Sequence, residues 1–458
     1  MSNNTEFTTT NPFTNRDLKT YNYHSEKEVL NVIESAHKRW LTYRDTSYED
    51  RAIMLRKAAD ILEGNKAKYA EMMTLEMGKL INSSIAEVEK CAWVCRYYAD
   101  NGAEFLGDEL VETDASKSYI TYNSIGVVLA VMPWNYPFWQ VFRFAAPALM
   151  AGNTALLKHA SNVPGSALFI EEVLRLAGFP EHCFTSLLIE SGGVKSILDH
   201  KHVKAATLTG SEPAGSAVAA QAGGNIKHTV LELGGSDPYL ILEDADIELA
   251  VEQCTTSRLL NTGQSCIGAK RFIVVESVYD TFLSAFHQKM SSATMGDPMT
   301  DVDVGPMARH DLRDEVHDQV VESVTRGATL ICGGTIPKHE GAFYPPTILT
   351  DLSPGMPAYE DEIFGPVASV IKAKNEQDAI RIANDSKFGL GACVFSEDVK
   401  RAEMIARDKL EAGCCFVNQY VKSDPRLPFG GIKTSGYGRE LSYHGIRAFT
   451  NIKTVYIK

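Results

Sequence analysis

The sequence lacks the patterns that indicate a disulfide-bonded, metal-binding or membrane-spanning protein. Nine cysteines in 458 residues are few, and none forms a C-x-x-C pair with histidines at metal-ligand spacing. The longest apolar stretch, from Phe138 to Leu157, is interrupted by Gln140, Arg143 and Pro147. Such a stretch cannot cross a bilayer as one helix. The sequence therefore predicts neither a structural metal nor a membrane span.

Positive charge is also scarce, since 45 Lys and Arg stand against 58 Asp and Glu, for a formal charge of −13. Nucleic acids and anionic membranes bind clustered cations, so neither is expected as a partner. Residues 1–15 have no basic start followed by an apolar core, which argues against a signal peptide. We expect a cytoplasmic protein with reduced thiols.

The apolar pattern predicts helices first and α/β units afterwards. From Ser25 to about Leu106, apolar residues recur at three- and four-residue spacing, as in amphipathic helices. After Ile125, short apolar runs alternate with helical stretches, which favours parallel sheets. These alternating runs form two series, which meet near Gly234. Predicted strands cover 116–123, 127–131, 155–157, 185–189, 205–208, 239–242, 271–275, 368–371, 392–395, 415–417 and 454–457, and predicted helices include one starting near 137 and those at 164–176, 246–260 and 379–383.

One cysteine has neighbours that suit a nucleophile. The segment Asn261-Thr-Gly-Gln-Ser-Cys266 places Cys266 after a glycine-containing turn at the end of a helix. Backbone amides in such a turn can meet a developing oxyanion, and a thiolate is a good nucleophile. Most cysteines are small buried hydrophobic residues, and that interpretation stays open on this segment alone.

Two polar residues carry complementary chemistry. Glu232 lies between two leucines at the end of a β-run, where desolvation would raise its pKa and suit it to general base catalysis; a solvated or salt-bridged Glu is the alternative. Asn135, held between Pro133 and Pro137, can donate to an oxyanion. The alternative for Asn135 is a helix N-cap.

Five segments together resemble the aldehyde dehydrogenase superfamily over nearly the whole chain. They are Pro133-Trp-Asn-Tyr-Pro, Leu231-Glu-Leu-Gly-Gly, Gly263-Gln-Ser-Cys, Glu362-Ile-Phe-Gly-Pro and Pro428-Phe-Gly-Gly-Ile-Lys-Thr-Ser-Gly. The resemblance implies an α/β fold with a Rossmann-like cofactor domain, an α/β catalytic domain and a small β extension for oligomerisation.

The resemblance also implies roles for the polar residues. Cys266 would attack an aldehyde, and Asn135 with the amide of Cys266 would hold the oxyanion. Hydride would leave to a nicotinamide, and Glu232 would activate the water that releases the acid. Glu440, in Gly-Arg-Glu-Leu, falls where many members have a second carboxylate that relays protons, although a buried salt bridge would place a Glu there equally well.

Cofactor binding has a weaker pattern in the residues themselves. There is no G-x-G-x-x-G, and the turn from Thr209 to Gly215 suits either a pyrophosphate at a helix N-terminus or a plain strand–turn–helix junction. Glu212 stands where a small hydroxyl residue is common, and we expect its side chain to turn outward. The resemblance assigns cofactor binding to Trp134, Lys158, Ser161, Ser211, Glu362 and Phe364.

Ser161 bears on the choice of nicotinamide cofactor. Strictly NAD-dependent members usually have a Glu here, which accepts from the ribose 2′-hydroxyl and repels a 2′-phosphate. A Ser with Lys158 nearby tolerates that phosphate. We expect NADP to be usable, and NAD stays open.

The substrate is indicated by Arg143, the only charged residue between Tyr136 and Met150. An Arg in an apolar helix either pairs with a buried acid or meets an anionic ligand in a cavity, and the residues leave both open. The segments 133–153 and 158–164 are similar to the compact bacterial succinate-semialdehyde dehydrogenases. That resemblance assigns the distal carboxylate to Arg143 and Ser423, with Arg258 as a weaker candidate.

The expected reaction is therefore oxidation of succinate semialdehyde to succinate with NADP or NAD, in a homodimer or homotetramer. Another ω-carboxylated or short aliphatic aldehyde is the alternative substrate, and a homologue without catalysis is the non-enzymatic alternative. Residues 1–105 and 125–234 are expected to form the cofactor domain, and 235–434 the catalytic domain. Residues 106–124 and 449–458 are expected to be oligomerisation strands, and 435–448 to return near the active site.

Overall fold

The computed structural model describes residues 5–458 and begins with a hairpin that the sequence pattern does not reveal. Strand β1 (Glu6–Asn11) pairs antiparallel with β2 (Arg16–Asn22). Threonines suit the pleated backbone, and the hydroxyls of Thr8 and Thr20 lie 2.8 Å apart across the pair. Because the strands are polar, they lack the apolar alternation by which strands are recognised.

Four helices follow, and they confirm the helical prediction for this part of the chain. The first begins with a capping box, since Ser25 accepts from the backbone of Glu28 and the Glu28 carboxylate accepts from the backbone of Ser25. The third ends at Gly78, whose φ of +75° is available to glycine at little cost. The four are α1 (Glu26–Tyr43), α2 (Tyr48–Gly64), α3 (Lys66–Met77) and α4 (Ile81–Phe105).

A six-stranded sheet comes next, and its parallel strands confirm the predicted βαβ pattern. The order is β17-β9-β8-β5-β6-β7, and only β17 runs antiparallel to its neighbour. The strand expected at 185–189 is shorter, because Leu188 exchanges backbone and ring hydrogen bonds with His24. The elements are β5 (Val127–Met132), α5 (Trp139–Met150), β6 (Thr154–His159), α6 (Pro164–Leu176), β7 (Phe184–Ser186), α7 (Val194–Asp199), β8 (Val203–Thr209), α8 (Glu212–Gly224), β9 (His228–Glu232) and β17 (Gly436–Tyr437).

A seven-stranded sheet holds the second series, with apolar helices packed on both faces. The order is β12-β13-β14-β11-β10-β15-β16, and only β12 is antiparallel to its neighbour. The strands are β10 (Asp237–Ile241), β11 (Ala269–Val275), β12 (Thr329–Cys332), β13 (Thr347–Thr350), β14 (Val367–Ala373), β15 (Gly391–Phe395) and β16 (Cys414–Val417). The helices are α9 (Ile247–Leu259), α10 (Glu276–Ser291), α11 (His310–Thr325), α12 (Pro357–Glu360), α13 (Glu376–Asn384) and α14 (Val399–Asp408).

A third, antiparallel sheet joins two distant parts of the chain. Strand β18 (Thr450–Ile457) pairs along its length with β4 (Lys117–Ser124), and β3 (Glu109–Leu110) lies on the other edge of β4. Helix α15 (Ser442–Arg447) precedes β18. Strands were expected at 116–123 and 454–457, and both are confirmed; β18 begins four residues earlier than expected.

Within residues 5–458, no helix is both long and apolar enough to cross a membrane.

The chain returns from the seven-stranded sheet to the six-stranded one through β17. Gly436 pairs with Glu232 at the carboxyl end of β9, and its φ of +114° and ψ of −164° belong to a region that only glycine adopts readily. A Cβ at this position would overlap the backbone carbonyl of Leu231. Gly436 therefore allows the close approach of the two strands next to Glu232.

We expect Gly436→Ala to lower the free energy of unfolding by about 1–3 kcal/mol from backbone strain alone, with further loss from the overlap with Leu231. The matched control is Gly223→Ala, because that glycine lies in α8 with open space around it. Alanine in a helix is more stable than glycine by about 0.5–1 kcal/mol. Thermal unfolding of both variants at one scan rate checks the prediction, and equal midpoints would contradict it.

Candidate active site

The predicted nucleophile follows a tight turn between α9 and β11. After α9, the backbone of Asn261, Thr262 and Gly263 takes positive φ angles of 55°, 55° and 73°. A Cβ at Gly263 would overlap the backbone of Gly365, so glycine is required there. The turn places Cys266 at the edge between two cavities.

Cys266 lines both of these cavities, and Gln140 is the other residue that lines both. The first, which we name the Phe364 cavity, has a volume of about 250 Å³. The second, which we name the Arg143 cavity, has a volume of about 280 Å³. A reacting group on Cys266 therefore has access to a ligand on either side.

Asn135 is buried beside the nucleophile turn. Its Nδ2 donates to the Gln264 carbonyl at 3.1 Å and its Oδ1 accepts from Gln140 Nε2 at 3.1 Å. A carboxamide nitrogen carries two N–H groups, and the Gln264 carbonyl takes one of them. Asn135 is not a helix cap, because the N-cap of α5 is Phe138 and its N-terminal amides donate to Glu87. Its geometry leaves an N–H for an oxyanion.

Glu232, Glu440 and Arg143 form a buried charge cluster. The Arg143 guanidinium is ion-paired with Glu440, and it lies 4.7 Å from the centre of the Phe429 ring. Burial raises the pKa of Glu232 well above its usual range, and repulsion from Glu440 adds to the effect. The positive charges of Arg143 and Arg439 act on the pKa of Glu232 in the opposite direction.

The carboxyl group of Glu232 lies outside the linings of the Phe364 and Arg143 cavities. Neither of its oxygens has a hydrogen-bond partner within residues 5–458. A Cβ at Gly430 would fall 2.6 Å from Glu232 Oε1, so glycine at that position leaves the carboxyl group room beside the turn.

Four of the six predicted cofactor residues line the Phe364 cavity, namely Trp134, Ser211, Glu362 and Phe364. The rings of Trp134 and Phe364 meet edge to face with centroids 5.8 Å apart. Glu362 accepts from the backbone of Gly235 at 3.1 Å.

The other two predicted cofactor residues, Ser161 and Lys158, do not line the Phe364 cavity. Ser161 lines a third cavity of about 350 Å³ together with the N-terminal hairpin and Arg309. Lys158 is buried on β6, outside the linings of all three cavities, and burial lowers its pKa. The expected outward turn of Glu212 fits its ion pair with Lys387 at 3.2 Å.

The Arg143 cavity holds both residues predicted for a distal carboxylate, Arg143 and Ser423. The Arg258 guanidinium instead donates to the carbonyls of Ala269 and Gly263 at 2.7 and 2.6 Å. Arg258 therefore supports the backbone around the nucleophile turn and does not line the cavity.

The sequence profile described as the aldehyde dehydrogenase family matches residues 1–455. This chain belongs to the aldehyde dehydrogenase family. The fold class predicted from the sequence is thereby confirmed.

Relatives of this aldehyde dehydrogenase match it from end to end. It is 50% identical over 450 residues to a probable succinate-semialdehyde dehydrogenase (NADP+) of Synechocystis sp., covering 98% of this chain and 99% of the relative. It is 50% identical over 453 residues to succinate-semialdehyde dehydrogenase (NADP+) 1 of Mycobacterium tuberculosis, covering 98% and 99%. A crystal structure of succinic semialdehyde dehydrogenase from Streptococcus pyogenes with NADP+ superimposes with a TM-score of 0.97 at 41% identity, covering 98% of this chain and 99% of that one.

Two residues of this aldehyde dehydrogenase site were not predicted from the sequence. Lys270 donates to the Cys266 carbonyl at 2.8 Å and pairs with Glu362 at 3.1 Å. The available signal was the pair of cations, Lys270 and Arg271, in a strand whose other residues are apolar. Gln140 lines both cavities and lies three residues before Arg143, a spacing that puts both on one face of α5.

The thiol of Cys266 is strongly affected by its surroundings. Burial raises the pKa of Cys266 to about 12, while the positive charges of Arg143 and Lys270 act in the opposite direction. The neutral thiol is therefore the resting form at pH 7, and a base must take its proton before attack.

We expect alkylation of Cys266 by iodoacetamide, without cofactor, to accelerate about tenfold per pH unit from about pH 6.5 to about pH 9.5, because only the thiolate reacts. Mass spectrometry of the peptide containing Cys266 measures the rate, and Cys266→Ala supplies the blank. A rate that levels off near or below the ordinary cysteine pKa of about 8.5 would show that burial does not raise the pKa of Cys266.

Proposed function

We propose that this aldehyde dehydrogenase oxidises succinate semialdehyde to succinate, with NADP+ or NAD+ as the oxidant. The observation that carries the proposal is the position of Cys266, which lines the Phe364 cavity on one side and the Arg143 cavity on the other. The names of the relatives from Synechocystis and Mycobacterium support the same substrate and favour NADP+.

The residues of the Phe364 cavity fit a dinucleotide. Ser211 stands at the N-terminus of the 13-residue helix α8, and its side chain does not cap that helix. The first amides of α8 therefore suit a pyrophosphate. Because residue 234 is a glycine, the Glu362 carboxylate can lie where it would otherwise overlap a Cβ atom. Trp134, Ser211, Glu362 and Phe364 would hold the cofactor, and Lys158 and Ser161 its adenosine ribose.

The reaction begins at Cys266. Its sulfur forms a bond to the aldehyde carbon as the thiol proton passes to solvent water, and the carbonyl oxygen becomes an oxyanion. The free N–H of Asn135 Nδ2 and the Cys266 amide stabilise that charge. The chemistry that a bound nicotinamide supplies is acceptance of the hydride from this thiohemiacetal, which leaves a thioester on Cys266.

Hydrolysis of the thioester is assigned to Glu232. Burial raises the pKa of Glu232, and a carboxylate with a raised pKa is, once ionised, a stronger base than in water. It takes a proton from water, the hydroxyl oxygen bonds to the thioester carbon, and the sulfur leaves and is reprotonated. Glu440 belongs to the same charge cluster. It is proposed to pass on the proton that Glu232 has taken from water.

The Ser161 cavity supports use of NADP+. It combines a serine hydroxyl, the Arg309 guanidinium and threonines of the N-terminal hairpin, which are groups that donate to phosphate. Arg309 keeps an ion pair with Asp311 at 2.7 Å, so the serine is the least constrained donor.

We also propose the division of the chain into the cofactor domain (1–105 and 125–234), the catalytic domain (235–434) and the returning segment (435–448). Sheet membership supports it, since β5 to β9 share one sheet and β10 to β16 another. Residues 106–124 and 449–458 are proposed to mediate a homodimer or homotetramer, because the β18-β4-β3 sheet exposes apolar side chains such as Leu110 and Ile452.

We expect Ser161→Glu to raise KM for NADP+ at least tenfold more than KM for NAD+, through repulsion of the 2′-phosphate at a cost of about 1.4 kcal/mol or more. Initial rates with each cofactor at saturating aldehyde give the two values. Ser161→Ala is the control and should change both constants alike. An equal effect of Ser161→Glu on both cofactors would place the 2′-phosphate elsewhere.

For the proposed reaction, wild-type enzyme should form NADPH with succinate semialdehyde at a kcat/KM about tenfold or more above that for butyraldehyde, which has the same chain length and no carboxylate. Cys266→Ala should abolish both reactions while NADP+ still binds, as measured by quenching of tryptophan fluorescence. If the wild-type enzyme favoured butyraldehyde, succinate semialdehyde would be the wrong substrate, and a short aliphatic aldehyde would be the substrate instead. A turnover rate in Cys266→Ala near the wild-type value would remove Cys266 from the mechanism.

A further inference from the structure

Lys90 reaches the Arg143 cavity from helix α4, far along the chain from every motif described above. Its ammonium donates to the hydroxyl of Ser423 at 2.8 Å and lies 4.3 Å from the centre of the Trp139 ring. The charge is thus held at a fixed place in the same cavity that Cys266 and Arg143 line.

The two fully buried cations of this cavity are balanced by carboxylates, whereas Lys90 is half-buried. Lys79 is ion-paired with Glu87, and Arg143 with Glu440. Within residues 5–458, Lys90 forms no ion pair, and its hydrogen-bond partner is a neutral hydroxyl. A desolvated, unpaired cation is costly, and that cost is removed when an anion binds beside it.

We propose that Lys90 is a specificity-determining residue that binds the distal carboxylate of the aldehyde together with Ser423 and Arg143. The inference rests on the proposed function. Of the three N–H groups of the ammonium, Ser423 takes one. The Ser423 oxygen accepts from Lys90, which leaves the serine O–H free to donate to a carboxylate. Lys90 supplies the uncompensated charge, whereas Arg143, already neutralised by Glu440, supplies directed N–H groups.

The protonation of Lys90 follows from its neighbours. Burial lowers the pKa of Lys90 to about 8, and the positive charge of Arg143 lowers it further; Cys91, Glu87 and Asp424 act in the opposite direction. Lys90 is therefore largely charged at pH 7 and loses its charge as the pH rises above about 8.

The test compares kcat/KM for succinate semialdehyde and for butyraldehyde in Lys90→Met. Loss of a charge-assisted hydrogen bond should lower the ratio of the two values roughly ten- to a hundredfold, mostly through KM for succinate semialdehyde. Lys90→Arg, which keeps the charge, should restore part of the ratio. Equal losses with both aldehydes would show that Lys90 has only a structural role and would overturn the inference.

Lys195→Met is the matched control, because that lysine is exposed on α7 and lines none of the three cavities; its ratio should equal that of the wild type. If wild-type enzyme showed no preference for succinate semialdehyde, the proposed function would fail. If the wild type showed the preference and Lys90→Met kept it, the inference about Lys90 alone would fail.

Should Lys90→Met not fold, the pH profile of the wild-type enzyme decides the question. Since kcat/KM reports the free enzyme, the ratio of succinate semialdehyde to butyraldehyde should fall above about pH 8 as Lys90 loses its proton. A ratio that stays flat from about pH 7 to about pH 10 would overturn the inference, because the substrate carboxylate stays ionised throughout.

Discussion

Lys270 lies buried behind the nucleophile turn, where its ammonium donates to the carbonyls of Ser265 and Cys266 and pairs with Glu362. Those contacts join Cys266 to a wall of the Phe364 cavity. Because the ammonium is desolvated, its burial would be costly without these partners, so the turn and Glu362 are held together. The position of Cys266 between the two cavities depends on this contact and on the turn before it.

The buried carboxyl groups of Glu232 and Glu440 are also affected by the charges around them. Arg143 pairs with Glu440, and within residues 5–458 the carboxyl oxygens of Glu232 beside them have no hydrogen-bond partner. Desolvation and the neighbouring carboxylate raise the pKa of Glu232, which makes its carboxylate, once ionised, a stronger base than in water. The two alternatives for Arg143, ion-pair partner or ligand-binding group, are compatible, because Arg143 pairs with Glu440 and also lines the cavity.

The sequence was most informative where local pattern dictates structure. Alternating strands and helices, the glycine turn before Cys266 and the proline-flanked Asn135 were visible as short segments. The N-terminal hairpin was not, since its strands are polar on both faces. Lys90 was missed for another reason. The partner of Lys90 is 333 residues away, and no local spacing encodes a contact that only the packed fold creates.

The arrangement of charge in the Arg143 cavity explains how an anionic substrate and a nascent thiolate can share one site. An incoming carboxylate would raise the cost of ionising Cys266, whose pKa burial has already raised to about 12. A cation in the same cavity offsets that repulsion best if it has no anionic partner, and within the described chain the hydrogen-bond partner of Lys90 is a neutral hydroxyl. An Arg already paired with an acid offsets it less. Arg143 and Lys270 lower the pKa of Cys266, and under the proposal Lys90 adds the charge that compensates the substrate carboxylate.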